Sequence, residues 1–201
     1  MPRHPSLLPA AAVLAAAALV SAPSPGAAQG APLTVEARVG GVLPQGAFAD
    51  GAGVGEGAAA GPVFGVEVTL LSSGWRGLYA GFSQARFGCD DAGCPTGEPY
   101  VATGVNVGLR ISLLPGRRVI PWIGGGALTT RVESPGVRGD VRGISSLGYG
   151  GEVGVGLWLR TAGSLALTPS LRYARATTEL PGGTSLTLRY LVADLGFALT
   201  F

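Results

Sequence analysis

Lysine is absent from this chain, histidine occurs once, at His4, and cysteine twice, at Cys89 and Cys94. All 14 basic residues are arginine, against 12 acidic ones, so the formal charge is only +2 and no polyanion-binding surface is indicated. With so much alanine and glycine, the missing lysine points to a GC-rich coding bias rather than to a nucleic-acid role. Charge of both signs is scarce: 13% of residues, against about 25% in ordinary soluble domains. Long apolar runs are missing too. The longest, Leu7 to Val20, is broken by Pro9 and falls short of the roughly 20 residues a membrane-spanning helix needs. A chain like this that crosses a bilayer must do so as a closed barrel, because lipid satisfies no backbone hydrogen bonds.

What is abundant is glycine, 35 residues, together with a mean hydropathy of +0.40. That pairing is odd for a water-soluble core, since glycine packs nothing, and for a helical membrane protein, since glycine forms helices poorly. Residues 1–28 read as a secretory signal peptide. Arg3 and His4 supply the positive start, Leu7 to Val20 the apolar stretch, and Gly26-Ala27-Ala28 the small residues before cleavage. No cysteine lies near that site, which argues against a lipoprotein anchor. Residues 29–201 then form one domain, and that domain contains no histidine.

The dominant signal in it is alternation with a period of two. Between Tyr100 and Leu114, Val101, Thr103, Val105, Val107, Leu109, Ile111 and Leu113 point one way. Ala102, Gly104, Asn106, Gly108, Arg110 and Ser112 point the other. Seven further segments repeat it: Leu33 to Val42, Val63 to Leu71, Trp75 to Phe87, Val119 to Val132, Leu147 to Arg160, Leu165 to Thr177 and Ser185 to Phe201. Glycines leave the register of Trp75 to Phe87 and Val119 to Val132 open. Such lengths suit tilted transmembrane strands of about 9–11 residues. The connections Ser72-Ser73-Gly74, Leu114 to Arg118 and Thr161 to Ser164 are tight turns. Pro44 to Pro62, Gly88 to Pro99 and Glu133 to Ser146 are long, and Glu179 to Thr184 is intermediate. Short and longer connections therefore fall on opposite sides, as in transmembrane barrels. The expected fold is all-β, an eight-stranded antiparallel up-and-down transmembrane β-barrel.

The composition of the second face separates this barrel from a soluble one. A solvated strand surface carries Thr, Lys, Glu and Arg, whereas here it carries mostly Gly, Ala, Ser and Thr. Glycine weakens a strand unless something large needs the space, and the narrow lumen of an eight-stranded barrel supplies that reason. The apolar face therefore points outward. Glu36, Glu67, Glu152 and Asp194 then share the lumen with Arg38, Arg110, Arg160 and Arg172. Buried charges must be paired, so these eight are expected to form a structural ion-pair network that plugs the lumen. The alternative is a charge-lined conduction path, and the balance of signs opposes strong ion selectivity.

Cys89 and Cys94, in a chain sent to an oxidising compartment, are expected to form a disulfide closing a small loop. The alternative, a metal site of Cys89, Asp90, Asp91 and Cys94, is short of soft ligands. Pro44 to Pro62 is glycine-rich but lacks the lysine and following helix of a phosphate-binding loop. No metal, cofactor or catalytic residue is assigned.

The signal peptide, the segment Pro121-Trp122-Ile123-Gly124-Gly125-Gly126 and the terminal alternation ending in Phe201 resemble the OmpA-like eight-stranded outer-membrane barrel families. The resemblance covers the mature chain as a pattern, not as an alignable motif. It implies the outer membrane of a Gram-negative bacterium, with outer-membrane lipid and lipopolysaccharide as surroundings. Leu195, Phe197, Leu199 and Phe201 would be the assembly signal read by the barrel-assembly machinery. Such barrels include adhesins, structural anchors, resistance factors and lipid-modifying enzymes, so no single activity follows. No cell-wall-binding domain is expected after Phe201, and a monomer is expected. General-base catalysis at neutral pH favours histidine, which disfavours the enzyme. A non-enzymatic barrel with a structural or surface-interaction role through its loops is the first reading, and a small pore or ligand-binding barrel the alternative.

Overall fold

The computed structural model describes residues 32–46, 58–71, 75–89, 100–134, 143–161, 163–179, 183 and 185–201. Residues 1–28, the expected signal peptide, and most of the long connections lie outside the described residues. Eight long strands carry the fold. They are β1 (Leu33–Pro44), β2 (Gly61–Leu71), β3 (Arg76–Cys89), β4 (Tyr100–Ser112), β5 (Val119–Ser134), β6 (Gly148–Arg160), β7 (Leu165–Glu179) and β8 (Ser185–Thr200). Each pairs antiparallel with its chain neighbour, and β8 pairs back onto β1, which closes the barrel. Two short bridges, Ala58–Ala59 against β3 and Gly143–Ile144 against β5, extend the wall on the long-loop side.

All eight strands fall where the alternation placed them, with ends shifted by two residues or fewer. The two registers that glycine left open are settled by packing. Tyr79 and Phe87 on β3 and Trp122 on β5 turn inward, while Leu78 and Ile123 turn outward. The tight turn between β4 and β5 contains Pro115-Gly116. Proline presets the first central position, and Gly116 takes the left-handed conformation (φ 81°) that the second demands.

The pairing fixes the barrel's dimensions. One crosses from Thr34 to Thr69, Tyr79, Gly108, Gly126, Glu152, Ala174 and Tyr190, and returns to β1 at Pro44. That return is displaced by ten residues from the start. With a rise of about 3.3 Å per residue and a strand spacing of about 4.8 Å, this stagger tilts the strands by roughly 40°.

Outward positions form an apolar band. On β8 it runs through Leu191, Ala193, Leu195, Phe197 and Leu199 to Phe201, and on β4 from Leu113 to Val105. About ten residues at that tilt span roughly 25 Å, the height of a transmembrane barrel's apolar belt. On the long-loop side the band stops at arginines. Allowing for the stagger, the exposed, outward-facing Arg86, Arg131, Arg175 and Arg189 lie within about 4 Å of one level along the axis.

Above that level the two faces exchange character. On β8 the outward residues become Arg189, Thr187 and Ser185, while the inward ones become Val192, Tyr190, Leu188 and Leu186. On β7, Thr177 and Glu179 are exposed and Ala174 and Ala176 buried. Strands reach about four residues, roughly 10 Å, beyond the arginine level. There they enclose an apolar core in the manner of a soluble barrel. The position of the band predicts a depth effect on one strand. Leu109→Arg, near the middle of the band, is expected to destabilise the folded barrel in vesicles by about 2–4 kcal/mol. Thr103→Arg, at the arginine level, is expected to cost about 0–1 kcal/mol. Urea titration of both variants measures the difference, and equal costs would misplace the band.

Candidate functional site

The lumen is filled in layers. On the turn side, Ile120 and Trp122 of β5, Trp158 of β6, Ala166 of β7 and Ala198 of β8 pack into a small apolar cluster. Glycine makes the room. A Cβ on Gly156 would stand 2.6 Å from Trp122 Cζ2, and one on Gly108 2.6 Å from the Tyr79 ring. The small residues of the inward face are thus the counterpart of a few large ones.

Arg110 lies above that cluster. Its guanidinium is 4.1 Å from the Trp122 ring centroid and 5.7 and 5.9 Å from those of Tyr79 and Trp158. Such faces attract a desolvated cation. Arg110 pairs with Glu36 at 3.3 Å and, through its second terminal nitrogen, with Glu67. Glu67, fully buried, also takes Arg38 and Arg172 at 3.1 Å each. Three arginines thus converge on one carboxylate. Thr168 donates to Glu36 at 2.8 Å, and Thr69 to Glu67 at 3.4 Å. Asp194 accepts from the Ser170 hydroxyl, and Arg172 Nε lies 3.8 Å from it.

Six of the eight lumen charges read from the sequence therefore meet in one network: Glu36, Arg38, Glu67, Arg110, Arg172 and Asp194. Glu152 is held differently. It accepts from Tyr79 Oη at 2.8 Å and from Asn106 Nδ2 at 2.5 Å. Arg160 stays outside. It shares the inward register but stands exposed at the turn-side rim, and among the described residues it makes no ion pair. Three carboxylates therefore share three arginines with the hydroxyls of Thr69, Thr168 and Ser170, while Glu152 is covered by the hydroxyl of Tyr79 and the amide of Asn106. Those neutral partners were missed in the sequence. Inward parity alone marks them, and parity does not tell a filler residue from a hydrogen-bond donor.

Above the network lies a small internal cleft of about 30 Å³, room for water and little more. Its polar lining includes Arg38, Asn106, Glu152, Arg172 and Asp194, and Val63, Ala102, Ala174 and Val192 are among its apolar walls. Among the described residues Arg38 Nε, Arg172 Nη2 and Asn106 Oδ1 have no hydrogen-bond partner, and polar space beside them is what water needs. The long-loop end is then filled by Phe87, Tyr100, Leu128, Val132, Leu186, Leu188 and Tyr190, with Phe87 and Tyr190 edge to face at 5.4 Å. This layer departs from the small, polar inward face expected along the whole height.

The other expected residues are placed as follows. Leu195, Phe197, Leu199 and Phe201 are exposed on the apolar band of the closing strand and its end. Cys89 ends β3, but its side chain and all of Cys94 lie outside the described residues, as do Asp90 and Asp91, so the disulfide is an expectation from sequence. Among the described residues no group of His, Cys, Asp and Glu could hold a metal ion.

A closed antiparallel eight-stranded barrel, apolar outside and ion-paired within, is the fold of the eight-stranded outer-membrane barrels. Solved structures of that class superpose on it. Neisserial surface protein A does so at a TM-score of 0.65 and 14% identity, covering 84% of this chain and 97% of that one. OprG from Pseudomonas aeruginosa superposes at 0.58 and 12% identity, covering 86% and 96%. The N-terminal β-barrel domain of OprF from the same organism does so at 0.53 and 14% identity, covering 86% and 100%. No family model and no curated protein sequence matches the chain. The likeness is therefore one of fold.

Proposed function

We propose that this protein is a non-enzymatic barrel of the bacterial outer membrane with a plugged lumen, serving as a structural element or meeting partners through its long-loop end. The observation that carries the reading is the layered filling of the lumen. Trp122 and Trp158 occupy one end, the Glu67 network the middle, and Phe87, Leu186 and Leu188 the other end. An eight-stranded lumen is only just wide enough for such side chains, which supports a lumen closed to ions. Export through residues 1–28 and assembly through the closing strand fit this location, and outer-membrane lipid and lipopolysaccharide are the surroundings it implies. The absence of histidine after residue 28 supports a non-enzymatic role. Planar-bilayer recording of the purified full chain tests the plug. No stepwise conductance above the bare-bilayer baseline is expected, and sustained steps would replace the plug with a pore.

A further inference from the structure

The arginine level on the outer wall contains an arrangement that the barrel's own stability does not explain. Arg175 and Arg189 are directly opposed across the β7–β8 pair, both exposed and both facing outward. Like charges directly opposite each other on a sheet are destabilising. Among the described residues neither arginine has an acidic partner in an ion pair. Glu179, the nearest acid along β7, is four residues further from the membrane.

Beside Arg175 the wall is recessed. Gly151 of β6, outward by register, brings no side chain to it, and the lumen-facing Gly150 and Gly126 border it with backbone alone, leaving a wide-open outward recess of about 670 Å³ beside Tyr149, Tyr173 and Arg175. Its floor lies within the apolar band, and its upper edge lies at the arginine level. A cationic pair at the water boundary joined to a recess running down the lipid-facing wall has the shape of an amphiphile with an anionic head. We propose that Arg175 and Arg189 clamp the phosphate of a membrane lipid on the long-loop side, with one acyl chain of that lipid lying in the Gly150–Gly151 recess between Tyr149 and Tyr173. Guanidinium groups bind phosphate oxygens through paired N–H donors, and the phosphate cancels the repulsion between the two arginines. Arg86 and Arg131 stand at the same level but without an opposed partner, so they contribute only general attraction.

This inference rests on the membrane-barrel reading, and the test keeps the two apart. The full chain is folded into phosphatidylcholine vesicles, and its fold is checked by the gel mobility of unheated against boiled samples. Association of spin-labelled phosphatidylglycerol is then compared with that of spin-labelled phosphatidylcholine. The wild-type chain is expected to prefer phosphatidylglycerol. General attraction near a membrane surface is worth about five-fold per arginine, so Arg175→Gln or Arg189→Gln, which also breaks the clamp, should reduce the preference by more than that factor, and the double variant should abolish most of it. Arg86→Gln with Arg131→Gln should reduce it much less. Gly151→Leu, which fills the recess, should weaken immobilisation of the chain label while the gel shift persists. An undiminished preference in the Arg175/Arg189 double variant overturns the clamp. So does an equal loss in the Arg86/Arg131 variant, which would make the effect one of general charge. Competition by millimolar inorganic phosphate overturns the lipid in favour of a free anion. A missing gel shift in the wild-type chain overturns the barrel itself.

Discussion

Glu67→Ala is expected to destabilise the folded barrel by about 3–5 kcal/mol. Removing one partner of a buried ion pair leaves the other charge uncompensated, and this is what makes the loss large. Here one carboxylate serves Arg38, Arg110 and Arg172 together, so its removal takes a partner from three guanidinium groups rather than one. Arg110 keeps Glu36 and its aromatic surround, and Arg172 keeps a distant contact with Asp194. Arg38 has no second ion-pair partner among the described residues. Urea titration in vesicles, followed by the unheated gel mobility, measures the change. Glu152→Gln is the control. Its carboxylate is covered by Tyr79 and Asn106 and its residue is only half-buried, so it should cost much less. Similar losses for the two would mean that Glu67 is not the hub.

The second large effect lies at the other end of the lumen. Leu188 is fully buried in the layer with Phe87, Leu186 and Tyr190, and Leu188→Ala is expected to cost about 2–5 kcal/mol, the range for emptying a packed core position. A water-filled barrel mouth would lose almost nothing from the same change. Leu195→Ala on the same strand faces outward, where lipid fills the gap, so its loss should be clearly smaller. Comparing the two urea midpoints at equal slope decides whether the strand ends enclose a core. Equal losses would mean that Leu188 does not lie in a packed interior.

How far the sequence carried depends on the scale of the question. Strand positions were legible because every strand of a barrel buries one face in side chains and presents the other to lipid, which writes a period-two pattern into the chain. Val101 to Leu113 shows that pattern without a break. Register was not legible where Gly124-Gly125-Gly126 gave neither face a side chain, and there the packing of Trp122 against Trp158 decides. The lumen charges could be named because an acid or arginine on the inward parity has nowhere else to go. Arg160 shows the limit: parity gives the face but not the height, and this residue sits at the open rim. Height also explains the missed apolar layer. Leu186, Leu188 and Tyr190 are inward by parity, but their meaning changes at the arginine level, which becomes visible only when β3, β5, β7 and β8 are aligned by their pairing. Tyr79, Asn106 and Ser170 acquire their roles only through partners on distant strands.

The central claim, a closed barrel that crosses a membrane, is tested most directly by fractionating cells that express the full chain and running the membrane fraction unheated and boiled. Recovery with the outer membrane is expected, with a folded form whose mobility changes on boiling. Recovery in the soluble periplasmic fraction, with one mobility before and after heating, would contradict it.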